Sequence, residues 1–213
     1  VARIPAAMVE TADRLLLSAA ALGGRTDLSR EICELVDRCL AGHPAAIVEF
    51  VERFRGRVFG LCYRMLGHLH DAEDVTQESL VRALRALARW DQTRDFEPWL
   101  LAIAGNRCRT WLAARSRRPA TTSLLNPVVD VAAGPTGFDS LAEEVGLALG
   151  TLRAEYRQAF LLFHEQQLSY LEIAAALDCP VGTVKTWVHR ARRELVDRLA
   201  RRGVLEESYH AVR

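Results

Sequence analysis

The sequence predicts an all-α protein of two small helical domains joined by a flexible linker, the C-terminal domain built around a helix-turn-helix. Three observations predict it. Apolar residues recur at spacings of three and four through most of the chain, no stretch alternates with the period of a half-buried strand, and a tract punctuated by Pro and Gly interrupts the periodicity between Ser116 and Ser140.

From Ala45, the residues Ile47, Phe50, Val51, Phe54, Val58, Leu61, Cys62 and Met65 repeat at helical period, and Gly67 closes the run. Asp71 is expected to start and cap a second helix, continuing through Val75, Leu80, Leu84, Leu87 and Ala88 to Trp90. The polar loop Asp91 to Asp95 follows, and then a helix from about Phe96 to Arg115 with Trp99, Leu100, Ile103, Ala104 and Trp111 turned inward. The interrupted tract holds Pro119, Pro127, Gly134, Pro135 and Gly137 among Thr, Ser and Asn. At about 25 residues it is too long for a loop inside one compact domain. The expected organisation is an N-terminal extension over 1–28 with no assigned role, a first domain over 29–115, the linker over 116–140, a second domain over 141–202 and a tail over 203–213.

Composition narrows the function classes. The chain has 213 residues, half of them apolar, and a net charge of +1, which argues against both a disordered tail and a protein that coats nucleic acid indiscriminately. Charge is instead segregated. Arg107, Arg109, Arg115, Arg117 and Arg118 cluster in one stretch, whereas Asp71, Glu73, Asp74 and Glu78 crowd one helix. The five cysteines are scattered and form no C-x-x-C pair, so they read as small buried hydrophobes of a reducing cytosol and not as a disulfide or zinc framework. The apolar run Leu15 to Leu22 is too short to span a bilayer, and no membrane insertion is expected. A cytoplasmic location follows as the expectation.

The most specific motif lies between Leu168 and Leu195. Ser169 and Glu172 stand three apart ahead of Ile173, Ala174 and Leu177, the capping-box arrangement that satisfies the free amides of a helix start. After Leu177 come Asp178 and Cys179, and Pro180 then suits the first turn of a new helix. Asp178 occupies a turn position where a left-handed conformation is tolerated. Val181, Val184, Val188, Ala191 and Leu195 form a single buried stripe, which leaves Lys185, Thr186, His189, Arg190 and Arg193 outside it. An ordinary helical hairpin with a solvated basic face would also carry arginines. The capping box, the proline and the valine stripe together favour a DNA-reading helix whose early residues meet base edges and whose arginines meet guanine or phosphate.

The order of parts resembles the extracytoplasmic-function (ECF, group 4) sigma factors of the sigma-70 family. The resemblance spans Ile32 to Arg202 and rests on DAEDVTQESLVRAL from Asp71, FEPWLLAIAGNRCRTWL from Phe96 and LSYLEIAAALDCPVGTVKTWVHRAR from Leu168. It implies a non-enzymatic factor, without cofactor or metal, that binds core RNA polymerase through the clamp helices of the largest subunit and the flap, and reads two promoter elements. By resemblance, Asp74, Gln77 and Glu78 contact polymerase. Gln92, Thr93 and Arg94 of the loop, with Asn106 and Arg109 on the next helix, capture and face the minus-ten DNA. Thr183, Lys185, Thr186, His189, Arg190 and Arg193 read or hold the minus-thirty-five element. An anti-sigma factor is a further implied partner.

Two other classes compete. A free-standing helix-turn-helix regulator would carry a sensor or dimerisation domain in place of the acidic helix. A helical metal-dependent hydrolase would use His68, His70, Asp71, Glu73 and Asp74 as ligands, though these straddle the Gly67 turn and no second cluster completes a shell. Core packing is the expected role of most of Trp90, Phe96, Trp99 and Trp111.

Overall fold

The computed structural model describes residues 29–117 and 137–204. The N-terminal extension, most of the expected linker and all but the first two residues of the tail lie outside them. Among the described residues there are eight α-helices and no strand.

Helix α1 covers 29–40 and buries Ile32, Leu35, Val36 and Cys39. Helix α2, Pro44–Leu66, starts on a proline in its first turn and ends on Gly67, whose φ of 71° lets its N–H return to the Tyr63 carbonyl. Its buried stripe runs Ala46, Phe50, Phe54, Val58, Leu61, Met65. Ile47 and Val51, expected inside, fall off that stripe: Ile47 is exposed and Val51 half-buried. Helix α3, Leu69–Ala86, starts two residues before the expected point, with His68 as its N-cap and no side-chain cap. Asp71 sits in the first turn, and its carboxylate meets Arg115 at 3.1 Å, so it is an ion-pair partner and not the cap expected of it. A 3₁₀ turn, Leu87–Arg89, winds tighter than an α-helix and turns Ala88, expected inside, out to solvent.

Helix α4, Phe96–Arg117, is buried on two sides, with Leu100, Leu101, Ala104, Gly105 and Cys108 all enclosed. Of the residues expected to face inward, Leu100 and Ala104 are buried, whereas Trp99, Ile103 and Trp111 are half-buried. The two-sided burial arises because α4 touches α2 and α3 on one side and α6 and α7 on the other. Helices α5, Gly137–Gly150, and α6, Ala154–His164, support the helix-turn-helix of α7, Tyr170–Leu177, and α8, Val181–Arg201. The capping box forms as expected: the Glu172 N–H donates to the Ser169 hydroxyl at 3.2 Å and the Ser169 N–H to the Glu172 carboxylate at 2.7 Å. Asp178 closes α7 in the left-handed region (φ 51°, ψ 52°), and Pro180 is the N-cap of α8. Val184, Val188, Ala191 and Leu195 are buried and Val181 half-buried, so the stripe is as the spacing predicts.

The two helical groups pack on each other, α2 and α4 of the first against α5, α6 and α7 of the second, in one continuous apolar cluster. Two polar residues of α6 sit in that contact. Arg157, only 5% exposed, donates to the carbonyls of Met65, Gly150 and Leu152. It thereby satisfies a backbone acceptor in the last turn of α2 that has no helical partner. Burial lowers its pKa to about 10, so the guanidinium stays charged at neutral pH. Gln158 is fully buried against Gly105, where a Cβ would overlap its amide, and neither its nitrogen nor its oxygen has a hydrogen-bond partner. Arg64 and Glu165 close the rim with an ion pair.

Candidate polymerase and promoter interfaces

Three surfaces hold the residues singled out by sequence. On α3, Asp74 and Gln77 are exposed side by side, one turn apart. Glu78 is different. Its carboxylate accepts from Arg82 at 2.7 and 3.0 Å and pairs with Arg107 of α4 at 2.6 Å. Partial burial pushes its pKa up, but the hydrogen bonds and charges of Arg82 and Arg107 outweigh that and leave it below the ordinary glutamate value.

The second surface is the loop after the 3₁₀ turn. Asp91 organises it: one carboxylate oxygen accepts from the Thr93 hydroxyl at 2.6 Å and the Thr93 N–H at 3.0 Å, and the other pairs with Arg94 at 3.3 Å. The Thr93 hydroxyl first, and its amide second, hold the Asp91 carboxyl below the usual aspartate pKa. Gln92 reaches across to Asp37 of α1 at 3.4 Å. The loop, with Trp90 below it and Ile32 and Cys33 of α1 opposite, encloses a cavity of about 350 Å³. Trp90 and Phe96 are buried and meet edge to face at 4.9 Å, the packing role expected of them. On α4, Asn106 and Arg109 come together as the spacing implies, Arg109 donating to the Asn106 side-chain oxygen at 2.8 Å. Asn106 is exposed. Arg109 is half-buried, one turn on from Gly105; burial pushes the Cys179 thiol up, and the nearby charge of Arg109 offsets only part of that rise.

The third surface is the outer face of α8. Lys185, Thr186, His189, Arg190 and Arg193 are exposed and Thr183 is half-buried. The Thr186 hydroxyl donates back to the Gly182 carbonyl at 2.8 Å, and the Lys185 ammonium lies 6.0 Å from the Tyr170 ring centroid. Arg190 donates to the Tyr156 hydroxyl at 2.9 Å.

The histidine cluster does not assemble a ligand shell. His68 lies 3.7 Å from Asp71 and His70 3.7 Å from Glu73, as two separate pairs, and among the described residues no three His, Cys, Asp or Glu side chains converge. All five cysteines are free, three of them buried, with Cys33 and Cys179 half-buried. No helix among the described residues is long and apolar enough to cross a membrane. Sequence reasoning missed α1 and its Asp37, the buried pair Arg157 and Gln158, and Tyr156 as a partner of Arg190. The Tyr156 contact was not legible because hydrophobic period carries no record of where a hydroxyl ends.

An acidic helix, a loop cavity beside a basic helix and a helix-turn-helix with a basic face define a two-part factor of the sigma-70 type. The Sigma-70 region 2 family matches residues 50–118 and the Sigma-70, region 4 family matches residues 142–195. The chain is 32% identical over 170 residues to the ECF RNA polymerase sigma factor SigW of Bacillus subtilis, covering 72% of this chain and 89% of the relative. It is 30% identical over 177 residues to the RNA polymerase sigma-H factor of Pseudomonas aeruginosa, covering 78% and 91%. Among solved structures, it is similar to the sigma factor RpoE of Bartonella quintana, in complex with the anti-sigma factor NepR, with a TM-score of 0.58 and 25% identity over 70% of this chain and 94% of that one. CnrH in complex with the cytosolic domain of CnrY gives a TM-score of 0.57 and 27% identity over 78% and 95%. The chain belongs to the extracytoplasmic-function sigma factors of the sigma-70 family, which bind core RNA polymerase and direct it to promoters. That membership replaces both the free-standing regulator and the metal hydrolase.

Proposed function

We propose that this sigma factor divides its work among the three surfaces as follows. Asp74 and Gln77 dock on the clamp helices of the largest polymerase subunit, with Glu78 holding α3 against α4 beside them. The loop cavity takes an unstacked base of the minus-ten element, with Gln92, Thr93 and Arg94 at its mouth and Asn106 and Arg109 beside the strand. Lifting a base from the stack costs a few kcal/mol, which hydrogen bonds and stacking in such a pocket offset. Thr183, Lys185, Thr186, His189, Arg190 and Arg193 lie along the minus-thirty-five major groove and its phosphates. The observation that carries this reading is the cavity of about 350 Å³ at the loop, lined by the first turn of α4, the helix that carries the Asn106–Arg109 pair farther along.

The domain limits proposed are 29–115 and 141–202, the factor acts in the cytoplasm, and it performs no chemistry of its own. An anti-sigma factor is a proposed partner, supported by the complex in which the similar sigma factor of Bartonella quintana was solved. Run-off transcription by purified core polymerase with this chain, on a library randomised at both promoter elements, tests the assignment. A recovered pair of elements is expected. Failure to direct transcription from any member of the library would overturn the reading. Asn106→Ala and Arg109→Ala are expected to weaken opening at the downstream element and leave the upstream preference unchanged, which a permanganate footprint reads directly.

A further inference from the structure

The recognition helix meets its support helix α6 through two polar side-chain contacts, Arg192 with His164 at 3.2 Å and Arg190 with Tyr156 at 2.9 Å, and only the second starts from a residue singled out as a reader of DNA. Tyr156 is only 6% exposed, so its ring is held by the domain core and its hydroxyl has little freedom to follow a moving partner. Arg190 is the opposite case, an exposed arginine whose side chain would otherwise sample many rotamers. A guanidinium has five N–H donors in a planar fork, and a guanine edge takes two. One donor given to a fixed phenol leaves enough for that contact, while the plane and reach of the fork become defined before DNA arrives.

We propose that Tyr156 is a positioning residue for promoter reading: its hydroxyl orients the Arg190 guanidinium toward the upstream element, so that part of the base preference of α8 is set from α6. The inference rests on the reading of Arg190 as a base contact given above. Three further features agree with it. The pull of Arg190 on the phenol lowers the Tyr156 pKa, as a persistent charged donor requires. Arg153, with its guanidinium carbon 5.7 Å from the ring centroid, braces the tyrosine from the N-cap of α6. The neighbouring Arg193 carries no such tether in the described residues and fits the looser task of a phosphate contact, which needs charge more than direction. Pre-ordering a side chain removes an entropic penalty that an untethered arginine would meet on binding.

Tyr156→Phe keeps the ring and removes only the hydroxyl, which makes it the informative substitution. Full-length variants are assembled with core polymerase, and promoter affinity is measured across upstream elements varied one base pair at a time. Tyr156→Phe is expected to reduce discrimination about five-fold at the base pair where Arg190→Ala abolishes it, and nowhere else. Added to Arg190→Ala, it is expected to have no further effect. If Arg190→Ala relaxes one base pair and Tyr156→Phe leaves that preference intact, the positioning role is wrong while the reading of Arg190 stands. If Arg190→Ala itself changes no base preference, the reading fails and the inference falls with it. A uniform loss of affinity that persists in the Arg190→Ala background marks Tyr156 as structural support alone and also overturns the inference.

Discussion

Glu78 is where the acidic face of α3 turns from partner binding to internal structure. Its carboxylate is held by Arg82 on the same helix and by Arg107 on α4, whereas Asp74, one turn earlier, and Gln77, the preceding residue, present exposed side chains. A charge reversal at Glu78 would therefore disrupt the α3–α4 contact as well as any docking surface. Asp74→Arg is the cleaner perturbation, since it opposes a basic partner without breaking a bond of the fold. It is expected to abolish co-purification with core polymerase and leave the far-ultraviolet dichroism unchanged; retained binding would exclude Asp74 from the interface. Glu78→Gln is expected to behave differently. The folded pKa of Glu78 lies below its unfolded value, so its pairing stabilises the protein above the unfolded pKa and is lost as pH falls through the folded one. The side chain is 37% exposed, so solvent screening keeps this contribution to at most about 1 kcal/mol. Melting curves of the two proteins should separate at neutral pH and converge in acid.

At the scale of elements, the helix-turn-helix shows how far local chemistry reaches. Ser169 and Glu172 exchange their bonds across the first turn of α7, Asp178 takes the left-handed turn and Pro180 opens α8, all within one stretch whose partners are sequence neighbours. Ser169→Ala leaves a helix-start amide without its acceptor and is expected to cost about 1 kcal/mol, with a smaller loss for Ser169→Gly. Thermal unfolding of the full chain reads the difference, and equal stability of the Ala variant and the parent would deny the cap an energetic role. These elements were legible because each signal is complete within a few residues. Helix α4 was only half legible, because its second buried side faces α6 and α7, which come from beyond the linker. Asp71 was misread for a related reason: its partner Arg115 lies 44 residues away, and the ordinary acidic cap was the nearer explanation. The acidic face, the loop and the basic helix were legible as segments of the sequence, but Asp37, Arg157, Gln158 and the tether from Tyr156 depend on contacts between elements that apolar spacing does not encode.

At the scale of the whole molecule, the packing of the two helical groups sets a constraint on promoter reading. Elements centred near minus ten and minus thirty-five are separated by about 25 base pairs, or about 85 Å of duplex at ~3.4 Å per pair. A compact body of the size described here is only about 40 Å across. The packed arrangement therefore cannot engage both elements of straight duplex at once, and it also half-buries Arg109 on the α4 face next to Gly105. Full promoter engagement requires α6 and α7 to leave α4. The contact contains a group that favours such separation: the Gln158 amide, fully buried with neither end hydrogen-bonded, regains water when the groups part. Replacing it with an apolar side chain of similar length removes that penalty from the packed state, which is worth about 1–3 kcal/mol. Gln158→Leu is thus expected to hold the groups together, giving a smaller radius of gyration in solution scattering and less transcript at limiting core polymerase. Gly105→Ala is expected to act in the opposite direction, because its Cβ would overlap the Gln158 amide and push α6 from α4. A double variant tests whether the two act on one contact, since shortening the glutamine side chain to Ser makes room for the added methyl and should return the scattering profile toward that of the parent. If Gln158→Leu and Gly105→Ala shift scattering and transcription in the same direction, or neither moves them, the α4–α6 contact does not govern the equilibrium between packed and promoter-bound forms.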